Sequence, residues 1–246
     1  MFDIYLCIRD GHDLKFVLLA ALICLLSSLT ALALLRQAAD STGSARRRWW
    51  CMAGASAGFG IWATHFVAML GFAPGIVIGF ESGLTLTSLI IPVVALSLSF
   101  GLLTESKGRF VLIGASALAA LGIAAMHYTG MMAMEVPGVL RWKTGFLAAS
   151  VIIAFLPLYP AFTLALEDRR LRGLLAATAL LSASVVGLHF TGMTGMTIIP
   201  TRLHAIEQLI SPREMAGAVA GVSDLLVALS AISLVVSRRT AAAVAL

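Results

Sequence analysis

Charged residues are scarce in this chain: only 12% of its 246 residues are Asp, Glu, Lys or Arg, whereas 60% are hydrophobic. A soluble domain carries about 25% charged residues, so the composition excludes an ordinary soluble domain. The mean hydropathy of +0.99 indicates an integral membrane protein with the lipid bilayer as its main partner. The net charge of +5 is spread over short loops and gives no reason to expect nucleic acid.

Cysteine is also rare. The three cysteines, Cys7, Cys24 and Cys51, are far apart in the sequence, which excludes a CxxC metal motif and a disulfide framework. The last apolar run contains no lysine for a Schiff base, so a retinal protein is disfavoured. No carboxylate stands beside the histidines as a general base, and we expect no enzyme.

Long apolar runs, by contrast, are abundant. Crossing the hydrocarbon core of a bilayer takes about 20 apolar residues, and seven runs have this length. We predict transmembrane helices at about 14–35, 49–71, 83–103, 110–134, 145–166, 173–196 and 216–236. The first run is a retained span rather than a signal peptide, because Asp3, Asp10 and Asp13 precede it.

The basic residues predict how these spans are oriented. Eleven Lys and Arg residues lie in one set of loops, together with the C-terminus, and six lie on the other side. The positive-inside rule therefore places the N-terminus outside and the C-terminus in the cytoplasm. We expect a multi-pass membrane protein.

One motif, His-x-x-x-Met, occurs three times with a constant spacing of 62 residues, at 65–69, 127–131 and 189–193. Glu105 and Glu167 close the third and fifth apolar runs with the same spacing. The sequence therefore predicts one all-α domain over 1–246. It contains three parallel helix-pair repeats (roughly 12–71, 83–134 and 145–196) and a seventh helix at 216–236.

The histidines share one predicted depth. Each follows the cytoplasmic start of its span by 16 or 17 residues, which is about 25 Å along a helix. Residues four apart lie on one helix face, so the methionines form a second layer further out. The six candidate metal ligands are His65, Met69, His127, Met131, His189 and Met193.

Copper is the metal that these side chains indicate best, because imidazole binds several transition metals and a thioether favours copper. Polar residues inside a membrane are costly and tend to mark function. The alternative is structural: each histidine bonds a neighbouring helix, and the methionines fill space. The sequence leaves the number of ions open.

Three further residues are candidates for the surroundings of the site. Asp224 lies inside the seventh run, where it either orients a histidine or bonds this helix to the bundle. His12 is an extra ligand or an ordinary interfacial residue. Tyr128 follows the second histidine directly.

Met126-His127-Tyr128-Thr129 resembles the signature of the MHYT domain family. The copies Thr64-His65-Phe66-Val67 and Leu188-His189-Phe190-Thr191 lack the methionine before His and replace Tyr with Phe. The resemblance implies a bacterial membrane sensor domain with a copper site that detects O2, CO or NO. It also implies fusion to cytoplasmic cyclic-di-GMP domains or other signalling outputs, and Tyr128 becomes a residue around the site.

We therefore expect a metal-binding sensor domain that detects a diatomic gas, copper or redox state at the outer side of the inner membrane. It would signal to a cytoplasmic output domain or protein that this chain lacks. Two alternatives come from other classes: a haem-binding membrane protein, and a copper transporter or chaperone.

Overall fold

The computed structural model describes residues 2–200, 210–222 and 228. Seven helices account for most of them, namely α1 (Phe2–Gly11), α2 (Leu14–Ala39), α3 (Gly43–Leu70), α4 (Ser82–Glu105), α5 (Arg109–Met132), α6 (Thr144–Glu167) and α7 (Leu171–Thr194). Residues 212–222 form a further helical segment.

Six of these helices, α2 to α7, are long and apolar enough to cross a membrane, counted over the described ranges. The prediction of an all-α, multi-pass membrane protein is thereby confirmed. The predicted seventh span, 216–236, falls largely outside the described residues, and so does Asp224; both stay predictions. Helix α1 precedes the first span and was not expected from the sequence.

Acidic residues begin two of the helices. The Asp13 carboxylate accepts a hydrogen bond from the backbone N–H of Lys15 at the start of α2. The Glu81 carboxylate accepts from Leu84 and Gly83 at the start of α4, at 2.5 and 2.6 Å. These two bonds satisfy N–H groups that have no partner inside the helix, and they lower the pKa of Glu81.

The six spanning helices form a closed ring, because each packs against the next and α7 packs back against α2. Three of them lie further inside than the others. The most apolar stretches of α3, α5 and α7 are 83%, 50% and 56% buried, against 39%, 39% and 28% for α2, α4 and α6. The histidine-bearing helices are therefore the inner ones.

Small residues let α3 and α4 approach closely. A Cβ on Gly54 would lie 2.3 Å from the Cα of Ser97, and one on Gly58 would lie 2.5 Å from the Cα of Val93. These glycines form the small-residue pattern that is common in membrane helices. Here it packs two helices of one chain against each other.

The helix boundaries recur at the spacing of the motif. Helices α4 and α6 begin at Ser82 and Thr144, and α5 and α7 begin at Arg109 and Leu171, so each pair of positions differs by 62 residues. Helices α3, α5 and α7 carry the histidines near their C-terminal ends. We call this end of the bundle the histidine end and the opposite one the arginine end.

Short antiparallel strands join the histidine ends of the helix pairs. Strand β1 (Gly79–Phe80) pairs with β2 (Met134–Glu135), and β3 (Gly138–Trp142) pairs with β4 (Met196–Pro200). The register also shifts by 62 residues, because the pair Phe80 and Met134 corresponds to Trp142 and Met196. An isolated bridge between His12 and Phe72 closes the first helix pair. Each pair is thus fastened by backbone bonds beyond its histidine.

One arginine side chain at the arginine end bonds to the backbone of a neighbouring helix. The Arg36 guanidinium, near the end of α2, donates to the carbonyls of Leu164, Ala165, Asp168, Arg169 and Arg170 at distances of 2.5–3.5 Å. The last carbonyls of a helix lack partners within the helix, and a cation there also interacts favourably with the helix dipole. Arg36 therefore caps α6 and ties α2 to it.

Candidate metal centre

The three motif histidines meet at the centre of the bundle. His65, His127 and His189 lie in α3, α5 and α7 and are only 3%, 1% and 6% exposed. Their ring centroids are 5.0–5.3 Å apart, and the rings meet at steep angles of 74–83°. Residues 124 positions apart in sequence thus share one small volume.

The Nδ1 atoms face each other. His65 Nδ1 lies 3.3 Å from His189 Nδ1 and 3.3 Å from His127 Nδ1. The ligand atoms of all three histidines lie within 4.8 Å of one another. The two separations of 3.3 Å suit nitrogens that share one ion, since a histidine nitrogen lies about 2.0–2.1 Å from a bound zinc ion. With the protons on Nε2, three lone pairs face one point. This donor set fits a transition-metal ion.

The opposite nitrogens are buried and have no hydrogen-bond partner among the described residues: these are Nε2 of His65, His127 and His189. Two of them press against glycines of a neighbouring helix. A Cβ on Gly130 would lie 2.7 Å from His65 Nε2, and one on Gly192 would lie 2.6 Å from His127 Nε2. These glycines therefore fix the tilt of the rings that they touch.

Sequence reasoning did not assign a role to Gly130 and Gly192. The signal was in the motif, because the third residue after each histidine is small: Ala68, Gly130 or Gly192. Only the packing of α5 and α7 shows why. The ring of the preceding copy occupies the place that a side chain would take.

Apolar layers lie on both sides of the imidazoles. Four residues after each histidine, on the same helix face, stand Met69, Met131 and Met193, which are at most 3% exposed. Four residues before each histidine stand Ile61, Ile123 and Val185, which are equally buried. The methionines are thus buried one helical turn from the histidines, and their role as ligands stays a prediction.

A small cavity adjoins the histidines. Its volume is about 40 Å³, and it is lined by all three imidazoles and by apolar residues of α2, α3, α5 and α7. Met126 is the methionine that lines it. This residue precedes His127 in the single copy that carries the Met-His-Tyr-Thr sequence.

His12 lies close to the cluster although it belongs to the connection before α2. It is 4% exposed, and its ring packs 5.3 Å from that of Phe190 and 6.0 Å from that of His189. Its Nδ1 donates to the carbonyl of Cys7 at 2.9 Å, which leaves a buried Nε2 lone pair without a partner in the described chain. Burial lowers the pKa of His12, and the bond to Cys7 opposes this shift. The residue is therefore a buried neighbour of the site.

The Tyr128 hydroxyl turns away from the histidines. Ser150 donates its own hydroxyl hydrogen to the carbonyl of Leu147, so the phenol donates to Ser150 Oγ, at 2.7 Å. The Tyr128 ring meets His127 edge-on with centroids 4.9 Å apart. Phe66 and Phe190 meet their own histidines in the same way, at 4.8 and 4.9 Å. The ring, and not the hydroxyl, is the part that the three copies share.

Comparison with known families agrees with the repeated unit. The family model MHYT, described as a bacterial signalling protein N-terminal repeat, matches residues 58–116 and 121–178. The chain belongs to the MHYT family. The two matches contain His65 and His127, and the third His-x-x-x-Met copy, at His189, lies outside them.

Three relatives show where MHYT domains occur. A protein of Caulobacter vibrioides named as an uncharacterized signaling protein is 32% identical over 92% of this chain. Two further relatives come from Pseudomonas aeruginosa. One is the bifunctional diguanylate cyclase/cyclic di-GMP phosphodiesterase MucR, which is 34% identical over 75% of the chain. The other is the cyclic di-GMP phosphodiesterase NbdA, which is 35% identical over 77%.

The MHYT chain spans little more than a quarter of these relatives, 26–28% of their length. The enzymatic activities in their names therefore belong to much longer proteins, and the matching part is a signalling domain without an enzymatic role, as predicted. No solved structure matches the chain.

Proposed function

We propose that this chain is the membrane-embedded sensor domain of a signalling system and that it binds one metal ion, best fitted by copper, at its three histidines. The ion would be held by Nδ1 of His65, His127 and His189. A bound ion would supply a binding position for a diatomic gas, or a redox couple. The chain's own residues hold the imidazoles, exclude bulk water and connect the site to the other end of the bundle.

The observation that carries this proposal is the meeting of three buried histidines, in which His65 Nδ1 lies 3.3 Å from Nδ1 of both His127 and His189. Buried polar groups are normally hydrogen-bonded, yet each ring has an unpaired Nε2 within the described chain. Packing alone gives no reason to bury three rings whose nitrogens lack hydrogen-bond partners. Coordination of a cation by the facing Nδ1 lone pairs would offset the free-energy cost of burying them.

Copper is favoured over zinc by the surrounding side chains. Zinc sites commonly add cysteine or carboxylate ligands, and the cluster at the centre of the described bundle consists of three histidines. Softer thioethers suit copper, and Met69, Met131 and Met193 stand one turn away in the same core. We therefore retain these methionines as further ligands of the proposed site.

The geometry disfavours the two alternatives. A haem has no place between rings whose nitrogens are 3.3 Å apart. A transporter needs a path through the bundle. Beneath the histidines, the layer of Ile61, Ile123 and Val185 is apolar and at most 3% exposed.

The proposed orientation follows from the basic loops: the histidine end faces the outside of a bacterial inner membrane and the arginine end faces the cytoplasm. A seventh span over 216–236 would then bring the C-terminus to the cytoplasmic side. The named relatives make cyclic-di-GMP domains the best candidates for the output. Helices α3, α5 and α7 run from the site to that side and would transmit the change.

Elemental analysis of the purified protein tests the metal. We expect about one copper per chain in the wild type and background copper in the variant with His65, His127 and His189 all changed to Ala. Ser99→Ala is the matched control, because Ser99 is another fully buried polar residue, bonded to the carbonyl of Ala115 away from the histidines. Equal copper in the wild type and the triple variant would sink the proposal.

A further inference from the structure

The cavity beside the histidines has a lining that selects its contents. Apart from the imidazoles, the one polar side chain among its described lining residues is Thr64, whose hydroxyl donates to the carbonyl of Gly60 at 2.7 Å. The remaining lining is alanine, valine, leucine, isoleucine, methionine and phenylalanine. Such a space favours an uncharged apolar molecule over a hydrated ion.

The size of the cavity limits the molecule further. About 10–15 Å³ of such space holds one water-sized molecule, so about 40 Å³ admits a molecule of two or three heavy atoms. A larger ligand would have to displace the histidines or the helices.

The cavity is closed toward the histidine end of the bundle. Buried side chains cover the imidazole layer on that side: Met69, Met131, Met193, Phe80, Met134 and His12, none more than 4% exposed. The paired strands lie beyond them and add backbone cover. Direct entry from the water at this end would require several of these groups to move.

The same cavity opens sideways. Val17 and Ala21 of α2 and Val186 of α7 line it and are only half-buried. On the same helix, Leu18 and Leu22 are 71% and 53% exposed, as expected for side chains that face lipid. Ala21 is the eighth residue of α2, so the opening lies roughly 10 Å along the helix from its histidine-end terminus. That depth is within the hydrocarbon region.

We propose that small uncharged apolar molecules of two or three heavy atoms, such as dissolved diatomic gases, enter from the bilayer through the opening between α2 and α7 and occupy the cavity beside the histidines. The inference rests on the part of the proposed function that makes this chain a membrane sensor. It does not depend on the metal. Apolar gases are more concentrated in hydrocarbon than in water. An entrance that faces the lipid therefore meets a higher gas concentration than one that faces water.

Xenon is a suitable probe, because it binds dry apolar cavities in proteins. The experiment uses the metal-free 246-residue chain in lipid nanodiscs and records xenon NMR exchange together with methyl shifts of Val17, Ala21 and Val186. We expect saturable binding, with methyl shifts at these residues and confined to residues that line the cavity. Ala21→Phe and Val186→Phe, which place a ring in the opening from opposite sides, should each slow xenon exchange at least tenfold.

Ala33→Phe is the matched control, since Ala33 lies on the exposed face of the same helix and does not line the cavity. It should leave xenon exchange unchanged. Absence of saturable xenon binding in the wild type would overturn the inference. Equal exchange rates in the two blocking variants and the control would overturn it as well. A chain that binds xenon but no copper would refute the metal site while leaving the entrance in place.

Discussion

The two ends of the bundle differ in whether their polar side chains have hydrogen-bond partners. At the arginine end, the Arg36 guanidinium donates to five backbone carbonyls and closes α2 onto the end of α6. At the histidine end, three imidazoles are buried together, and each has a ring nitrogen without a partner in the described chain.

This difference separates stability from binding. A hydrogen bond to a charged group stabilises a fold by about 1.5–3 kcal/mol, whereas a buried polar group without a partner costs about 1–3 kcal/mol. The arginine end thus contributes to folding, and the histidine end opposes it until something binds. Substitutions at the two ends should therefore have effects of opposite sign on the metal-free protein.

The largest effect is expected for His127→Leu. It removes one of the three facing nitrogens, so copper affinity should fall by more than the roughly 10–100-fold that is typical when a group that only orients a metal ligand is lost. The metal-free stability should stay the same or rise, because an unsatisfied buried nitrogen is removed. Copper titration and thermal unfolding in detergent measure the two quantities. If this variant bound copper as tightly as the wild type, the proposal that the histidine end is a binding site would be contradicted.

Arg36→Met should have the reverse pattern. Loss of the carbonyl bonds at the end of α6 should lower the free energy of unfolding by about 2–3 kcal/mol, while copper affinity changes little. Denaturant unfolding measures the first and copper titration the second.

Arg172→Met is the control for Arg36→Met. Arg172 is 73% exposed in an ion pair with Asp168 at 3.5 Å, and a pair of this kind contributes about 0–1 kcal/mol. If both variants lost the same stability, Arg36 would be an ordinary surface charge.

Gly130→Ala refines the comparison within the histidine end. The added methyl group would lie 2.7 Å from His65 Nε2, so the ring must turn, and copper affinity should fall by about tenfold, as for groups that orient metal ligands. Gly114→Ala in the same helix has nothing within 4 Å of the added atom. It should keep wild-type affinity and gain up to about 1 kcal/mol of stability from helix propensity.

The smallest effect is expected for Tyr128→Phe. Its hydroxyl bonds to Ser150 and not to a histidine, and the other two copies already have phenylalanine. Stability should fall by about 1 kcal/mol or less, with copper affinity unchanged in titration. A marked loss of affinity would show that the hydroxyl acts on the site and that the copies are not equivalent.

The spans and the shared level of the histidines could be predicted from sequence because both depend on local periodicity. Apolar runs give the helices, and equal distances from the helix starts place His65, His127 and His189 at one depth. Their convergence needed one further assumption, that the repeats pack around a common centre, which the described residues satisfy.

Features that depend on non-local packing escaped prediction. Strands of two to five residues are too short to show alternation, and their partners lie beyond an intervening helix pair. Arg36 bonds to backbone carbonyls about 130 residues away in the sequence. Because these partners are backbone atoms, no pattern of side chains could predict them. Gly130 and Gly192 could be seen as small residues, but their contact with a ring depends on how neighbouring helices dock.

One of the three motif copies differs from the others, because Ala68 stands where they have Gly130 and Gly192. Two rings, those of His65 and His127, are wedged against a glycine of the next copy, whereas the glycine position of the first copy is filled by a methyl group. His189 is also the motif histidine whose ring lies 6.0 Å from that of His12. A bound ion would therefore have two ligands in matching surroundings and a third in different surroundings. The site thus lacks the full three-fold symmetry that the repeated motif would suggest.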